Sequence, residues 1–76
     1  MKELVEVIAK ALVDHPDEVV VTEKDGKKAV VIELKVAPAD MGNVIGRGGR
    51  IAQAIRSVVK AAWTDDEKKV IVDIIQ

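Results

Sequence analysis

Two glycines separated by two residues, Gly46 and Gly49, lie in a stretch of the chain that also carries Arg47 and Arg50. Glycine permits tight backbone geometry and lets another chain approach the backbone closely. A helix that begins directly after such a stretch points unpaired N–H groups outward, where they favour an anion. The two arginines add positive charge at the same place. These residue types at this spacing predict contact with a phosphate chain.

The distribution of charge strengthens this prediction. The 76-residue chain has 12 basic and 13 acidic residues and a net charge of −1, which alone argues against a nucleic-acid partner. Residues 41–64, however, hold no acidic residue and four basic ones, which are Arg47, Arg50, Arg56 and Lys60. Because the local field steers an anionic partner more than the overall balance does, the chain remains a candidate for binding a polyanion.

The composition argues against several other classes of function. The chain has no cysteine and a single histidine, His15, so we expect no disulfide, no metal site and no cofactor. Ser57 has no evident base beside it, so the sequence does not indicate an enzyme. Charged residues interrupt each N-terminal apolar run, and no apolar run approaches the roughly 20 residues of a membrane span. We therefore expect a cytoplasmic protein.

Hydrophobic periodicity predicts regular elements in the order α-β-β-α-α-β. The predicted helices are residues 2–14, 38–45 and 49–62, and the predicted strands are residues 19–22, 30–36 and 70–75. Gly46 is expected to end the second helix as a C-terminal glycine. The chain shows no internal repeat or linker. We therefore expect a single α+β domain with helices packed on one face of a three-stranded sheet.

The third predicted helix is amphipathic. Its expected core-facing stripe consists of Ile51, Ile55, Val58, Val59 and Ala62, and its expected polar face of Arg50, Gln53, Ser57 and Lys60. Gly42, in the helix before it, is interpreted as a close-packing position rather than a ligand contact. The sequence leaves open whether Arg56 and Lys60 contact a ligand or only form a solvated face.

The run Val-Ile-Gly-Arg-Gly-Gly-Arg-Ile at residues 44–51 resembles the signature of KH domains, in which Ile-Gly-x-x-Gly carries a basic residue between the glycines. An extra helix and strand before the core resemble the type II, bacterial arrangement, which implies a mixed sheet with one parallel pair. Residues 37–46 and 50–56 are similar to small stand-alone bacterial KH proteins of the KhpA type. The resemblance covers residues 1–76 as a single type II KH domain.

This resemblance implies binding of single-stranded RNA, about four nucleotides at a time, with the glycine loop clamping the backbone. The residues that it places at the phosphates are Gly46, Arg47, Gly48 and Gly49, followed by Arg50. The residues that it places along an aliphatic groove under the bases are Val44, Ile45, Ile51 and Ile55. Residues 70–74 would form the far wall of that groove. The implied role is that of an RNA chaperone or a post-transcriptional regulator.

Two departures from the family pattern bear on affinity. Asp65, Asp66 and Glu67 form an acidic loop, which flanks the groove in the family's fold and is expected to oppose RNA. Gly48 occupies a position that is often basic or polar in the family, so one charge is missing from the glycine loop. We therefore expect a modest affinity for RNA.

An interaction module is the alternative function, in which the fold serves mainly to dimerise and RNA binding is secondary or absent. The acidic loop favours it and the basic segment opposes it. The resemblance implies a homodimer, or a heterodimer with a larger KH-containing protein. Val31, Ile71 and Ile75 predict an exposed aliphatic patch on the outer face of the sheet. Trp63 is interpreted as cover for the core or as a dimer contact rather than as a platform for base stacking.

Overall fold

A computed structural model of the chain describes residues 1–46, 49–65 and 67–75. These residues form the helices α1 (Lys2–Leu12), α2 (Pro38–Ile45) and α3 (Arg50–Ala62) and the strands β1 (Val20–Asp25), β2 (Ala29–Lys35) and β3 (Lys69–Ile75). A short 3-10 helix, Pro16–Glu18, lies between α1 and β1. The predicted order α-β-β-α-α-β is confirmed, and the bounds of α2 match the prediction.

The strands form one mixed sheet in the order β1-β2-β3. β1 pairs antiparallel with β2, with Val20 opposite Lys35, and β2 pairs parallel with β3, with Lys35 opposite Ile75. A parallel pair requires a crossover connection, which α2 and α3 supply here. The α+β architecture expected for a type II KH domain is therefore present, and β3 forms an edge of the described sheet beside α3.

Two boundaries differ from the prediction by two residues or more, and the other differences are of one residue. α1 ends at Leu12 rather than at residue 14, because Val13 is extended and its N–H donates to the carbonyl oxygen of Ala9 at 3.1 Å. β1 continues beyond residue 22 to Asp25, because β2 pairs with the polar end of the strand. In β1, cross-strand pairing therefore overrides the weak strand propensity of the local sequence.

The hydrophobic core lies between the helices and one face of the sheet. Alternate residues of β2 point into it, and these are Val30, Ile32 and Leu34. The buried residues of α3 are Ala52, Ile55 and Val59. The predicted stripe of α3 is therefore wrong at Val58, which is 41% exposed, and at Ala62, which is also exposed, because the buried face of the helix is centred nearer Ala52.

Asp40 is a buried carboxylate that the sequence did not single out. It is 1% exposed, its Oδ1 accepts the N–H of Asp14 at 3.1 Å, and its Oδ2 accepts the N–H of His15 at 3.0 Å. A buried polar group is stable only with such partners. The contact joins the connection after α1 to the first turn of α2.

Two kinds of feature are absent from the part of the chain that the structure describes. None of its helices is long and apolar enough to cross a membrane. The same residues include no cluster of three or more His, Cys, Asp or Glu side chains that could hold a metal ion.

Candidate functional site

The glycine loop, residues 46–49, connects α2 to α3, and its two middle residues, Arg47 and Gly48, lie outside the described residues. Gly46 is extended (φ −69°, ψ 176°), and its N–H donates to the carbonyl oxygen of Gly42 at 2.9 Å. A Cβ atom at Gly46 would overlap that oxygen. Gly46 therefore ends α2 as predicted. A glycine is required there because the backbone passes so close to the carbonyl oxygen of Gly42, and not because the residue is left-handed.

A Cβ at Gly42 would meet nothing within 4 Å, so the close-packing interpretation of Gly42 is wrong.

Gly49 ends the loop and caps α3. Its backbone is left-handed (φ 65°, ψ 36°), a conformation that residues with a side chain rarely adopt. Its N–H donates to the carbonyl oxygen of Gly46 at 3.0 Å, and its own carbonyl oxygen accepts the N–H of Gln53 at 2.8 Å. Having no side chain, Gly49 offers no capping group to the first-turn amides of α3. Those amides and the positive end of the helix dipole, about half an elementary charge, therefore face the loop.

A groove, here called the loop groove, opens between α3 and β3 beside Gly49 and has a volume of about 290 Å³. Its helix wall consists of Gly49, Ala52, Gln53 and Arg56. Its strand wall consists of Asp73 and Ile74, and Ile45 lies at the end toward α2. Ile45 is 51% exposed, so the groove presents apolar surface to a ligand. An anion site at the loop and an apolar groove are thus contiguous.

A larger cavity of about 670 Å³, here called the far cleft, lies toward the C-terminal end of α3 and shares Arg56 with the loop groove. The residues that α3 contributes beyond Arg56 are Val59, Lys60 and Trp63, and those from β3 are residues 69–72. Arg56, Lys60 and Lys69 place three cations along it. The space between α3 and β3 therefore extends the basic, apolar surface well beyond the loop.

The indole of Trp63 is held in place at the end of α3. Its Nε1 donates to the carbonyl oxygen of Lys68 at 2.8 Å, and the partly buried ring packs against the core. The interpretation of Trp63 as cover for the core is confirmed.

Comparison with known proteins identifies this arrangement. The model of the KhpA/KhpB KH domain matches residues 2–74. The chain belongs to the KhpA/KhpB family. The protein named RNA-binding protein KhpA in Clostridium acetobutylicum is 60% identical over 75 residues, which is 99% of this chain and 100% of the relative. Proteins of the same name in Clostridium perfringens and Caldanaerobacter subterraneus subsp. tengcongensis are 61% and 64% identical over the same shares of both chains.

The comparisons also bear on the class of function. The KhpA/KhpB family is non-enzymatic, in agreement with the sequence, which did not indicate an enzyme. No solved structure gave a significant match to the chain.

In this KhpA/KhpB domain, the structure brings together some of the predicted site residues and separates others. Ile45 and Gly49 line the loop groove. Val44 and Ile55 have no exposed surface, so the expectation that they border the groove is wrong, and they support it from the core instead. The predicted residues that line a separate cavity of about 290 Å³ are Gly46, Arg50 and Ile51.

The position of Ile51 follows from helix geometry. Successive residues of an α-helix are turned by about 100°, so Ile51 points away from the groove when its neighbour Ala52 lines it. Ile51 instead shares its cavity with Leu12 and Val13 at the end of α1. The expectation that Ile51 borders the groove is therefore wrong. Arg50 is exposed at the first residue of α3 and stays next to the glycine loop.

The sequence left open whether Arg56 and Lys60 belong to the site, and it did not assign Gln53 to it. Gln53, Arg56 and Lys60 follow Gly49 at positions i+4, i+7 and i+11, and they line the loop groove or the far cleft. This spacing defines one face of a helix. It was visible in the sequence, but its use required knowing on which side of α3 the last strand packs.

The described residues of the acidic loop line neither cavity. Asp65 and Glu67 are both exposed, and Oδ1 of Asp65 accepts the N–H of Glu67 at 2.9 Å. Asp66 lies outside the described residues. In this KhpA/KhpB domain, Asp65 and Glu67 therefore do not line the space that a ligand in the loop groove or the far cleft would occupy.

The residues after the acidic loop join it to the turn between β1 and β2. Nζ of Lys68 donates to Oδ1 of Asp25 at 2.6 Å, and the N–H of Lys69 donates to the carbonyl oxygen of Lys28 at 3.1 Å. The hydrogen bond to Asp25 raises the pKa of Lys68 above its ordinary value, desolvation opposes the shift, and the charges of Asp25 and Asp65 support it. These contacts fix one end of the far cleft.

Proposed function

We propose that this domain binds single-stranded RNA, with the sugar-phosphate backbone at the glycine loop and the bases in the loop groove, and that it acts as an RNA chaperone or a post-transcriptional regulator. The observation that carries the proposal is the left-handed Gly49, which opens α3 with uncapped amides directly beside an apolar groove. Its relatives are named as RNA-binding proteins, which supports the same function.

The phosphates are proposed to lie against the N-terminal end of α3. The proposed contacts are Gly46, Arg47, Gly48, Gly49 and Arg50. Glycines let the RNA backbone approach the protein backbone closely, and the uncapped amides favour negative charge. Arg56 and Lys60 continue the positive field along the same helix, on the side that faces β3.

The bases are proposed to contact aliphatic surface rather than to stack on aromatic rings. Trp63 is the single aromatic residue of the sequence, and its indole nitrogen is already bonded to Lys68. Ile45 and Ile74 supply apolar surface in the loop groove. In the described sheet β3 pairs only with β2, so its other edge offers backbone groups to a base. Such groups suit unpaired bases, whose edges are free.

A fluorescence anisotropy titration tests the proposal. We expect a single-stranded RNA to bind more tightly than a duplex of equal length, because base pairing occupies the edges that the groove would contact. Equal affinities for the two forms would contradict the proposal. If the protein neutralises two or three phosphates, each contributes about −0.7 to the slope of log affinity against log salt concentration. We therefore expect a slope of about −2. A slope steeper than about −5 would indicate a wider basic surface.

Association through the outer face of the sheet is a second function, favoured by exposed aliphatic side chains. Val20, Ile71 and Ile75 are 54%, 47% and 37% exposed. Val31, expected in this patch, is partly buried, and Trp63 lies on the helix side of the sheet, in the far cleft. An aliphatic patch on so small a domain suits a homodimer, or a heterodimer with a larger KH-containing protein.

Sedimentation at micromolar concentration tests this second proposal. We expect a dimer that Ile71→Lys dissociates, because the substitution places a charge in the patch. Ala61→Lys, which adds the same charge at an exposed position of α3, is the control and should leave the dimer intact. A monomer of 8.2 kDa in the unsubstituted protein would contradict dimerisation, and a dimer that survives Ile71→Lys would exclude the sheet face.

A further inference from the structure

Two buried side chains attach α2 to the rest of the domain. Of the eight residues of this helix, the buried ones are Asp40 and Val44. They are four positions apart, so they lie on the same face of the helix. Val44 joins the hydrophobic core close to the glycine loop, and Asp40 lies about one turn nearer the N-terminal end of α2. Two points of attachment fix the direction of a helix, whereas a single point lets it pivot.

The carboxylate of Asp40 serves a distant segment rather than its own helix. An acid in the first turn usually acts on that turn, where it complements the helix dipole. Here Oδ1 accepts the N–H of Asp14 at 3.1 Å and Oδ2 accepts the N–H of His15 at 3.0 Å. The side chain is only 1% exposed, so these two amides satisfy a group that water does not reach. Asp40 therefore links α2 to the connection after α1.

The connection that Asp40 holds lies next to the ends of the glycine loop. The cavity that Gly46 and Arg50 line, here called the α1 cavity, is also lined by Asp40 and by residues 12–14. Gly46 follows the last residue of α2, and Arg50 is the first residue of α3. The placement of α2 against the connection after α1 therefore decides where the glycine loop begins relative to the start of α3.

We propose that Asp40 is a positioning residue for RNA binding, because its carboxylate fixes α2 so that Gly46 and the first-turn amides of α3 meet the same stretch of RNA backbone. The inference rests on the proposed binding of single-stranded RNA. Asp40 lines neither the loop groove nor the far cleft, so it acts through the helix that leads into the loop. The expected effect opposes that of charge alone, since removing an acid near the loop would strengthen polyanion binding through the field.

Asp40→Asn tests this inference in the full chain. The amide keeps one acceptor oxygen, but its NH₂ group would face the other backbone N–H, so one of the two contacts is lost. The probe is a fluorescein-labelled pool of single-stranded RNA octamers of random sequence, titrated by anisotropy. We expect the affinity to fall about fivefold, the equivalent of one ordinary hydrogen bond. The slope of log affinity against log salt concentration should become shallower by about 0.7, as one phosphate contact is lost.

Two controls separate positioning from charge and from stability. Asp17→Asn removes the same charge from an exposed position that lines none of the three cavities, and it should not weaken binding. Val21→Ala shortens a buried side chain of β1 that also lines none of them. It should lower the free energy of unfolding without changing the affinity of the folded protein. Circular dichroism measures the folded fraction, and a variant that is partly unfolded is titrated again in trimethylamine N-oxide, which favours the compact state.

Wild-type affinity and salt slope in Asp40→Asn would overturn the inference while the proposed RNA function stands. An affinity that recovers fully once the variant is folded in trimethylamine N-oxide would also overturn it, as would a variant that stays unfolded there, because Asp40 would then serve the fold alone. An equal loss of affinity in Val21→Ala would show that binding follows stability and would overturn it as well. Absence of RNA binding by the wild type would overturn the proposed function and the inference with it.

Discussion

The two ends of α3 present opposite environments. At the N-terminal end, Gly49 leaves the first-turn amides without a side-chain cap, and Arg50 follows directly. At the C-terminal end, the chain leaves Trp63 for the acidic loop, Asp65 to Glu67. The helix dipole has the same direction as this difference in charge, positive at Gly49 and negative after Ala62.

This contrast explains how a domain of net charge −1 supports the binding of a polyanion. The four basic residues of the segment 41–64 lie on the glycine loop and α3, and all the acids lie outside that segment. The far cleft lies between the basic segment and the acidic loop. Its lining includes Arg56, Lys60 and Lys69, and the acidic loop follows α3 in the chain. A strand of RNA would therefore be oriented by the field as well as by contacts. Changes at either end of α3 test this contrast.

The largest effect is expected at the glycine loop. Arg47→Asp combined with Gly48→Asp should abolish RNA binding without unfolding the domain, because it replaces a positive loop by two carboxylates beside the proposed phosphates. Affinity is measured by anisotropy and folding by circular-dichroism melting. The control is Lys27→Asp with Lys28→Gln, which changes the net charge equally in the turn between β1 and β2 and should retain binding. Loss of the melting transition would show that the loop is structural.

The next effect concerns the cap of α3. Gly49→Ala should lower the free energy of unfolding by about 1 kcal/mol, since alanine is strained in the left-handed conformation, and should weaken RNA binding by moving the first-turn amides. Gly42→Ala should raise the free energy of unfolding by up to about 1 kcal/mol, because the residue is helical and a Cβ atom there would meet no other atom within 4 Å. Urea unfolding measures both. Equal effects at the two positions would contradict the role assigned to Gly49.

A smaller effect is expected at the acidic end. Changing Asp65, Asp66 and Glu67 to Ser should tighten RNA binding about two- to threefold at low salt, because it removes like charge near the far cleft. The gain should shrink as salt rises, since the Debye length falls to about 8 Å at physiological ionic strength. Titrations at two salt concentrations measure it. Unchanged affinity at low salt would mean that the acidic loop does not influence the bound RNA.

The smallest effect concerns the bond between Lys68 and Asp25. The folded pKa of Lys68 is raised above 10.5, so the stabilisation is fully present below pH 10.5 and is lost as the pH rises through the higher folded value. Asp25→Asn should reduce this alkaline loss of stability. The change should be slight, because exposed ion pairs contribute little. Urea unfolding at pH 9 and pH 11 in both proteins measures it, and identical pH dependence would contradict the assignment.

Much of the fold was predictable because each element carries its own signal. The alternation of Val30, Ile32 and Leu34 identified β2 and its buried face, and Pro38 and Gly46 set the limits of α2. These features depend on residues that are close in the sequence, which is why the sequence predicts them.

The walls of the groove were less predictable, because they depend on how distant elements pack. Val44 and Ile55 are aliphatic and close to the loop, yet they face the core rather than the groove. Arg56 and Ile74 line the same groove only because β3 returns alongside α3, antiparallel in chain direction to the helix. The partners of Asp40, some 25 residues earlier in the chain, left no local signal.

The buried carboxylate of Asp40 makes local separation of α2 from the connection after α1 measurable by hydrogen exchange. The amide protons of Asp14 and His15 are held by the two oxygens of that side chain, so they exchange with solvent only when the connection after α1 separates from α2. Since α2 leads directly into the glycine loop, the exchange rates of these two protons report on how often α2, and the loop attached to it, separates from the rest of the domain. Hydrogen exchange at two backbone positions outside the groove can therefore register occupancy of the loop without a label on either molecule.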